Sequence, residues 1–216
     1  MAYYGDGSNH GLPYAYNYVI NTLKMKYTKD RKHLFLTLLD DDTEITKDYL
    51  VYMEAAIEKV GEKADIFAPV VMSDDEMISP FNVWKDIKVL AVNDVSKIKN
   101  RQISAINSGL VLRLSVFDKV MYDENYFLDC VDHDFFRKVR KYQIPVQIVE
   151  NARIYQTFSR NENCDKRTRL KRFRIYKKDF KYFSSVSKMG RVFFYLSSIK
   201  MAIKYNRQYH TREFFK

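Results

Sequence analysis

The stretch HLFLTLLDDDTEITKDYL (33–50) decides the fold, because it joins a strand, an acidic turn and a helix in one run. Its first part, HLFLTLLD, is apolar enough to predict a buried strand. Three consecutive carboxylates follow, Asp40, Asp41 and Asp42. Each pair of them repels by about 1 kcal/mol at ~4 Å even in water, so we expect a positive charge to bind at this turn.

A helix follows the acidic turn, with Thr46 as its N-cap and Gly61 at its end. Its predicted buried stripe has helical spacing and consists of Leu50, Met53, Ile57 and Val60. An earlier helix is predicted around Pro13, which suits a first helical turn. Three strand-like runs come next in the chain, at 65–72, 86–92 and 108–114. A helix from Val131 to Tyr142 and the strand PVQIVE (145–150) complete the pattern, which predicts a layered α/β domain.

Composition predicts an ordinary globular chain. With 216 residues, 46% of them apolar, the chain is long enough for one substantial core. Cys130 and Cys164 have neither a CxxC spacing nor histidines placed for zinc, so a reducing, cytoplasmic setting is expected. No run of ~18 apolar residues occurs, and we therefore expect neither export nor a membrane span.

The charge is distributed unevenly along the chain. Residues 1–150 contain 19 Lys and Arg against 23 Asp and Glu, a net charge of −4. Residues 151–216 contain 18 against 4, a net charge of +14. We therefore predict two parts, an acidic body at 1–159 and a basic amphipathic helical tail at 160–216.

Two acidic clusters are candidates for chemistry. In a strand, Asp40 and Asp42 point to one side, and α/β sheets bind ligands outside the carboxyl ends of their strands. Hard carboxylate oxygens there suit Mg²⁺ or Mn²⁺ carrying a diphosphate. The alternative is a solvated turn that only caps the next helix.

The second cluster is Asp129, Asp132 and Asp134 at a helix start, where the helix dipole explains one or two carboxylates better than three.

Three segments together resemble the family 2 inverting glycosyltransferases of GT-A fold, in particular the bacterial rhamnosyltransferase-like branch. LLDDDTEITKDYL is similar to its Asp-x-Asp strand, turn and helix. NHGLPYAYN is similar to an Asn-x-Gly segment followed by Ala15 and Asn17. The segment from Ile103 to Val149 is similar to the second half of the family, with an Asn-Ser-Gly turn and a Phe-x-Asp-x-x-Asp motif at Phe127. The resemblance covers roughly residues 5 to 160.

The resemblance implies a GT-A-like (Rossmann-like) mixed sheet flanked by helices. It implies inverting transfer of a sugar from a nucleotide-sugar donor to a lipid-linked glycan, in bacterial capsule, exopolysaccharide or lipopolysaccharide synthesis. Asp132 would be the base, with Asp129 and Asp134 as second choices, and Asp40 and Asp42 would hold the metal and diphosphate. The implied substrate-binding residues are Asn9, Gly11, Asp40, Asn107, Ser108 and Gly109.

Two departures from the family affect these expectations. Only about 38 residues precede Asp40, so the family's first strand, helix and strand are missing, and we expect an N-terminally truncated domain that needs a second polypeptide for its nucleotide pocket. Many relatives place a metal-binding His where this chain has Gln156. Metal binding would then rest on the carboxylates alone.

The tail has its own candidate partners. Residues 160–182 hold ten Lys and Arg among four aromatic residues, which suits an anionic membrane surface at the inner face of the cell membrane. Single-stranded nucleic acid is the rival partner, and a solvated face that closes the domain is the plain alternative. A non-catalytic module that uses these helices, and a metal-dependent nuclease, are the other functions that the sequence leaves open.

Overall fold

The computed structural model describes residues 7–40, 43–156 and 164–215. The described chain forms five α-helices: α1 (Leu12–Lys26), α2 (Lys47–Val60), α3 (Val131–Lys141), α4 (Lys166–Ser184) and α5 (Lys188–Gln208). It also forms nine strands: β1 (Phe35–Thr37), β2 (Thr43–Ile45), β3 (Ile66–Ser73), β4 (Glu76–Ser79), β5 (Phe81–Trp84), β6 (Lys88–Leu90), β7 (Ile103–Ser104), β8 (Val111–Arg113) and β9 (Val146–Gln156). Short 3-10 helices lie at Gly61–Lys63, Val95–Lys97, Leu114–Asp118 and Glu213–Phe215.

The main sheet has six strands in the order β1-β8-β3-β9-β2, with β4 paired to β3 outside this path. β8 is antiparallel to both β1 and β3, whereas β3 and β9 are parallel. The carboxyl ends of β1, β3 and β9 therefore meet at one edge of the sheet. The start of β8 and, through its antiparallel pairing with β9, the start of β2 lie at this same edge.

The mixed α/β architecture confirms the predicted α/β class. A second, small antiparallel sheet of order β6-β5-β7 accompanies the main one. The run predicted as a strand at 86–92 belongs to it, and its strand β6 is exposed along its length. The predicted truncation stays a prediction.

Local signals position α1 and α2. Pro13 lies in the first turn of α1, where its missing N–H costs nothing. The Thr46 side chain accepts a hydrogen bond from the Tyr49 N–H at 3.1 Å, and Gly61 ends α2 with a positive φ of 58°. These ends are where the sequence predicted them.

The predicted buried stripe of α2 was wrong at Leu50, whose side chain is 59% exposed. Met53 is buried as predicted, and Ile57 and Val60 pack against the same cluster. Tyr49 is buried in place of Leu50, because its hydroxyl reaches the backbone of the sheet edge. A long-range hydrogen bond of this kind has no signal in hydrophobic spacing.

Helices α4 and α5 contribute to the main core. Phe180, Phe183 and Phe194 are buried in one cluster with Ile20 and Phe135, which belong to the body of the protein. A smaller cluster joins Phe173, Ala202 and Phe214 at the end of the chain. The predicted boundary between 159 and 160 falls outside the described residues.

None of the helices in the described part combines the length and the apolar composition needed to cross a bilayer.

Candidate functional site

Asp40 lies at the carboxyl edge of the sheet, directly beyond β1. The ladder between β1 and β8 continues to this point, because the Leu38 N–H donates to the Leu110 carbonyl at 3.0 Å and the Gly109 N–H donates to the Leu38 carbonyl at 2.7 Å. The Gln156 side chain, at the end of β9, donates from Nε2 to Oδ2 of Asp40 at 3.1 Å. Asp42 lies outside the described residues.

The Asn-Ser-Gly turn before β8 contacts the residues on both sides of this acidic turn. Ser108 is fully buried, and its hydroxyl accepts a hydrogen bond from the Asp40 N–H at 3.3 Å. The same hydroxyl is 2.5 Å from Oγ1 of Thr43, the first residue of β2. Ser108 therefore joins the two ends of the acidic turn, and Asn107 beside it is also buried.

Gly109 is held in a position that only glycine fits well. Its φ is +76°, and an added Cβ would lie 2.5 Å from Cδ1 of Ile154 and 2.8 Å from Cγ of Pro69. Its carbonyl accepts a hydrogen bond from the Tyr49 hydroxyl at 2.9 Å, and burial raises the pKa of Tyr49 to about 12. The turn is thus fixed by packing from three elements.

We expect Gly109→Ala to lower the free energy of unfolding by about 2–4 kcal/mol, because a left-handed backbone and a steric overlap add together. Gly61→Ala is the matched control, since Gly61 has a φ of +58° and nothing within 4 Å of its added Cβ. Its cost should be about 1 kcal/mol, from the backbone alone. Urea unfolding of both variants measures this difference, and equal losses would contradict the close packing of Gly109.

Two tyrosines face the acidic turn from α1 and from the loop before α3. The rings of Tyr16 and Tyr122 are 4.9 Å apart, and the Tyr122 hydroxyl donates to Oδ1 of Asn107 at 3.0 Å. Burial, and then the negative charges of Asp40 and Asp132, raises the pKa of Tyr16 above its ordinary value. A carboxylate from each acidic cluster therefore lies near the same hydroxyl.

Tyr122 is affected in the same way. Burial first, and then Tyr16, Asp132 and Asp40, raises its pKa. Both hydroxyls therefore stay protonated at neutral pH and can act as hydrogen-bond donors. Asp40 and Asp132 are more than 90 positions apart in the chain, and the fold brings them to one neighbourhood.

Side-chain contacts of α1 hold this arrangement together. The Asn17 amide donates to the Tyr122 carbonyl at 2.9 Å and accepts from the Tyr122 N–H at 3.2 Å. At the start of the helix, Oδ1 of Asn9 accepts from the Gly11 N–H at 3.1 Å. Gly11 has a φ of +91°, and its Cβ position lies 2.7 Å from the Phe127 carbonyl. Asn9 and Gly11 thus form the turn that lays α1 against the segment leading to α3.

The three acids around the start of α3 have different surroundings. Asp129 is buried and forms a bidentate ion pair with Arg172 of α4. Asp134 is buried and pairs with Arg137 and with Lys138, whose Nζ lies 3.0 Å away. Asp132 has a 22% exposed side chain and contacts neither Lys nor Arg within the described ranges. Its Oδ1 accepts from the His133 N–H at 2.8 Å.

A buried carboxylate of α4 fixes the loop before α3. Asp179 is fully buried, and its oxygens accept hydrogen bonds from the N–H groups of Phe127, Leu128 and Asp129 at 2.8–3.2 Å. Cys130 then adopts a left-handed conformation with a φ of 61°, and α3 begins. The basic tail therefore determines where Asp132 lies.

The residues that the structure describes do not make a complete metal site. No group of three or more His, Cys, Asp or Glu that could hold an ion occurs in residues 7–40, 43–156 and 164–215. Asp40 is the described member of the predicted metal pair, and its Oδ2 accepts a hydrogen bond from the Gln156 side chain.

No protein-family model matches the chain, and no curated protein matches its sequence. Among solved structures, the chain is similar to S. aureus TarS residues 1–349, with 11% sequence identity and a TM-score of 0.44. The match covers 88% of this chain and 50% of that one, so the chain spans about half the length of that structure. A likeness this distant assigns neither a fold nor an activity.

Sequence reasoning missed Tyr16, Tyr122 and Asp179. Tyr16, Ile20 and Leu23 have helical spacing on α1, and this spacing predicts that they face the core. The overlooked feature was the Tyr16 hydroxyl, which makes this residue a possible hydrogen-bond donor. Tyr122 lies in no periodic segment. Asp179 is one of three acids among ten cations in 160–182, and an isolated acid in a basic helix is a signal for a specific partner.

Proposed function

We propose that the chain is a glycosyltransferase-like domain that transfers a sugar from a nucleotide-sugar donor to a hydroxyl acceptor with inversion. The observation that carries the proposal is the turn at 107–109, which contacts Asp40 through Ser108 and Tyr122 through Asn107, with the Tyr16 ring against Tyr122. After burial, the negative charges of Asp40 and Asp132 are the causes that raise the pKa of Tyr16. Asp132 is also the acid of its cluster that no Arg or Lys neutralises in the described part. A carboxylate that is partly exposed and has no cation paired with it suits a general base.

The proposed reaction is a single displacement. The acceptor oxygen forms a bond to the anomeric carbon, the bond from that carbon to the diphosphate oxygen breaks, and the acceptor proton passes to Asp132. The electron pair of the broken bond leaves on the nucleoside diphosphate. Because attack and departure occur on opposite faces, the anomeric configuration inverts. Tyr16 and Tyr122, as protonated hydroxyls, are placed to donate hydrogen bonds to the sugar or to the carboxylates.

The remaining parts of the proposal follow from the resemblance. Asp40 and Asp42 would hold Mg²⁺ or Mn²⁺ with the diphosphate, and Asn107, Ser108 and Gly109 would shape the floor beside it. A lipid-linked glycan at the inner face of the cell membrane, in capsule or other surface-polysaccharide synthesis, is the proposed acceptor.

The test of this proposal is a donor panel. We expect the full chain to bind at least one UDP- or dTDP-sugar, measured by calorimetry, and to release nucleoside diphosphate from it in the presence of Mn²⁺. Asp40→Asn should lower the release about 10²-fold, because one of the two carboxylates proposed to hold the cation at the diphosphate loses its charge. Chelation of the cation should lower it to background if the carboxylates hold a metal.

Asp48→Asn is the control, since Asp48 is an exposed acid in the first turn of α2. It should leave release unchanged. A chain that binds no donor of the panel and releases no diphosphate would contradict the proposal and would favour a non-catalytic binding module.

A further inference from the structure

Helix α5 presents an apolar stripe to solvent. Val192, Leu196 and Ile199 are 58%, 65% and 52% exposed, and Met189 and Ile203 extend the stripe at helical spacing. The opposite face of α5 is the buried one, with Phe194, Ser198 and Ala202 packed inward. We call the five exposed residues 189, 192, 196, 199 and 203 the α5 stripe.

Cations border the α5 stripe. At 100° per residue, Lys200 falls beside Leu196 and Met189 on one border, with Lys204 next to it, and Lys188 falls beside Val192 on the other border. All three lysines are exposed. An apolar stripe with basic borders is the pattern of a helix that lies in the plane of a membrane interface.

A basic cleft lies where α5 begins. It has a volume of about 560 Å³, and its lining includes five cationic side chains, Lys85, Arg101, Arg137, Arg140 and Lys141. One carboxylate, Asp86, belongs to the lining and pairs with Arg140 at 2.6 Å. The cleft therefore carries an excess of positive charge.

Three of these cations are available to an anion. Arg137 is already paired with Asp134, and Arg140 with Asp86. Lys85, Arg101 and Lys141 form no ion pair with any residue that the structure describes. Like charges gathered in a cleft repel each other, and bound phosphate groups would relieve that repulsion.

The cleft and the stripe meet at the turn between α4 and α5. Val186 lines the cleft and is itself exposed, and Met189, the first residue of the α5 stripe, follows it by three positions. The cleft is also distinct from the candidate active site, because Arg140 and Lys141 lie at the far end of α3, roughly 13 Å along the helix from Asp132. One surface thus offers phosphate-binding cations next to an apolar ridge.

We propose that this surface docks the protein on an anionic lipid bilayer. The basic cleft takes phospholipid head groups, and Val186 with the α5 stripe enters the boundary between head groups and acyl chains. The proposal is independent of the sugar-transfer activity. Charge complementarity supports it, since the segment 151–216 carries a net charge of +14 and the cytoplasmic leaflet is anionic.

Two other occupants fit the surface less well. A second copy of the chain would bring the lysines that border one stripe close to the lysines of the other, and like charges would oppose the contact. Nucleic acid would use the cations and could stack on the exposed rings of Trp84 and Tyr142, but it would leave the aliphatic α5 stripe uncovered, because bases stack on aromatic rings. The aliphatic character of the α5 stripe therefore favours lipid.

The test is sedimentation of the full chain with vesicles of phosphatidylcholine alone and with added phosphatidylglycerol. We expect binding to the second vesicles and not to the first. Val192→Gln/Leu196→Gln/Ile199→Gln should weaken binding by at least about tenfold, since each buried methylene contributes to insertion. Lys85→Gln/Lys141→Gln should weaken it about fivefold for each lysine, with a smaller loss at high salt.

Matched controls exist on α2. Leu50→Gln/Val51→Gln changes two exposed apolar side chains, and Lys47→Gln/Lys59→Gln changes two exposed lysines. Neither pair should alter vesicle binding, and all four variants should keep the urea midpoint of the wild type because they alter exposed side chains.

The single tryptophan gives an independent readout of orientation. Trp84 is 42% exposed, and Nζ of the cleft residue Lys85 lies 5.0 Å from its ring centroid. Brominated phosphatidylglycerol in the vesicles should quench Trp84 fluorescence when the cleft faces the bilayer.

Wild-type chain that stays in the supernatant overturns the proposal, as does equal binding by the stripe and control variants. A dimer that the stripe variant abolishes, or retention by single-stranded DNA without vesicle binding, also overturns it.

Discussion

Replacing Asp132 with Asn should lower the turnover number for sugar transfer by about 10²–10⁴-fold while leaving the fold intact. The physical reason is that the amide introduced by Asp132→Asn accepts no proton from the attacking hydroxyl. Stability should fall by less than about 1 kcal/mol, because the side chain loses only its favourable place in the first helical turn. Donor turnover at saturating acceptor, together with urea unfolding, measures both quantities.

The neighbouring acids are the controls for this experiment. Asp134→Asn should lower the free energy of unfolding by about 3–5 kcal/mol, since the largely buried Arg137 is left without its partner. Asp129→Asn should lower it by about 1.5–3 kcal/mol, since Arg172 is partly exposed and loses a charged hydrogen bond. Asp132→Asn should therefore combine the largest loss of activity with the smallest loss of stability. An Asp132→Asn enzyme that keeps wild-type turnover would remove Asp132 from the role of base.

Replacing Asp179 with Ala should lower the free energy of unfolding by about 3–5 kcal/mol. Three backbone N–H groups, those of Phe127, Leu128 and Asp129, lose their acceptor in a buried place. The free energy of unfolding of Asp179→Asn should lie between those of Asp179→Ala and the wild type, because one side-chain oxygen still accepts hydrogen bonds. Equilibrium unfolding in urea checks the order of the three proteins.

Asp165→Ala is the comparison within the same helix. Asp165 caps the start of α4 by accepting from the Arg167 and Thr168 N–H groups at 2.8 and 3.1 Å, and it is exposed. Loss of an exposed cap costs about 1 kcal/mol. If Asp179→Ala were no more damaging than Asp165→Ala, the loop before α3 would not depend on the buried carboxylate.

Short-range signals predicted much of the framework. The Thr46 cap, the Gly61 end and Pro13 in the first turn of α1 depend on backbone groups within four residues, so the sequence reports them directly. Leu50 shows the limit of such signals. Its neighbour Tyr49 is the buried residue, because the Tyr49 hydroxyl donates a hydrogen bond to the Gly109 carbonyl 60 positions away. Spacing within one helix cannot report that contact.

The candidate site divides in the same way. The sequence showed two acidic clusters and an Asn-Ser-Gly turn, and these predictions rest on residue type and position alone. It did not separate Asp132 from Asp129 and Asp134, since all three occupy similar positions at a helix start. The partners that separate them, Arg172 and Arg137, act through ion pairs, and the pair of Arg172 joins α4 to the loop before α3.

The sequence by itself determined the α/β class, the ends of α1 and α2 and the acidic turn after the first strand, because local hydrogen bonds and hydrophobic period govern them. Only the tertiary structure decided that α4 supplies Asp179 to the loop before α3, that Tyr16 lies near both Asp40 and Asp132, and that the α5 stripe faces solvent. These depend on which surfaces the helices bury, and burial is a property of the whole fold.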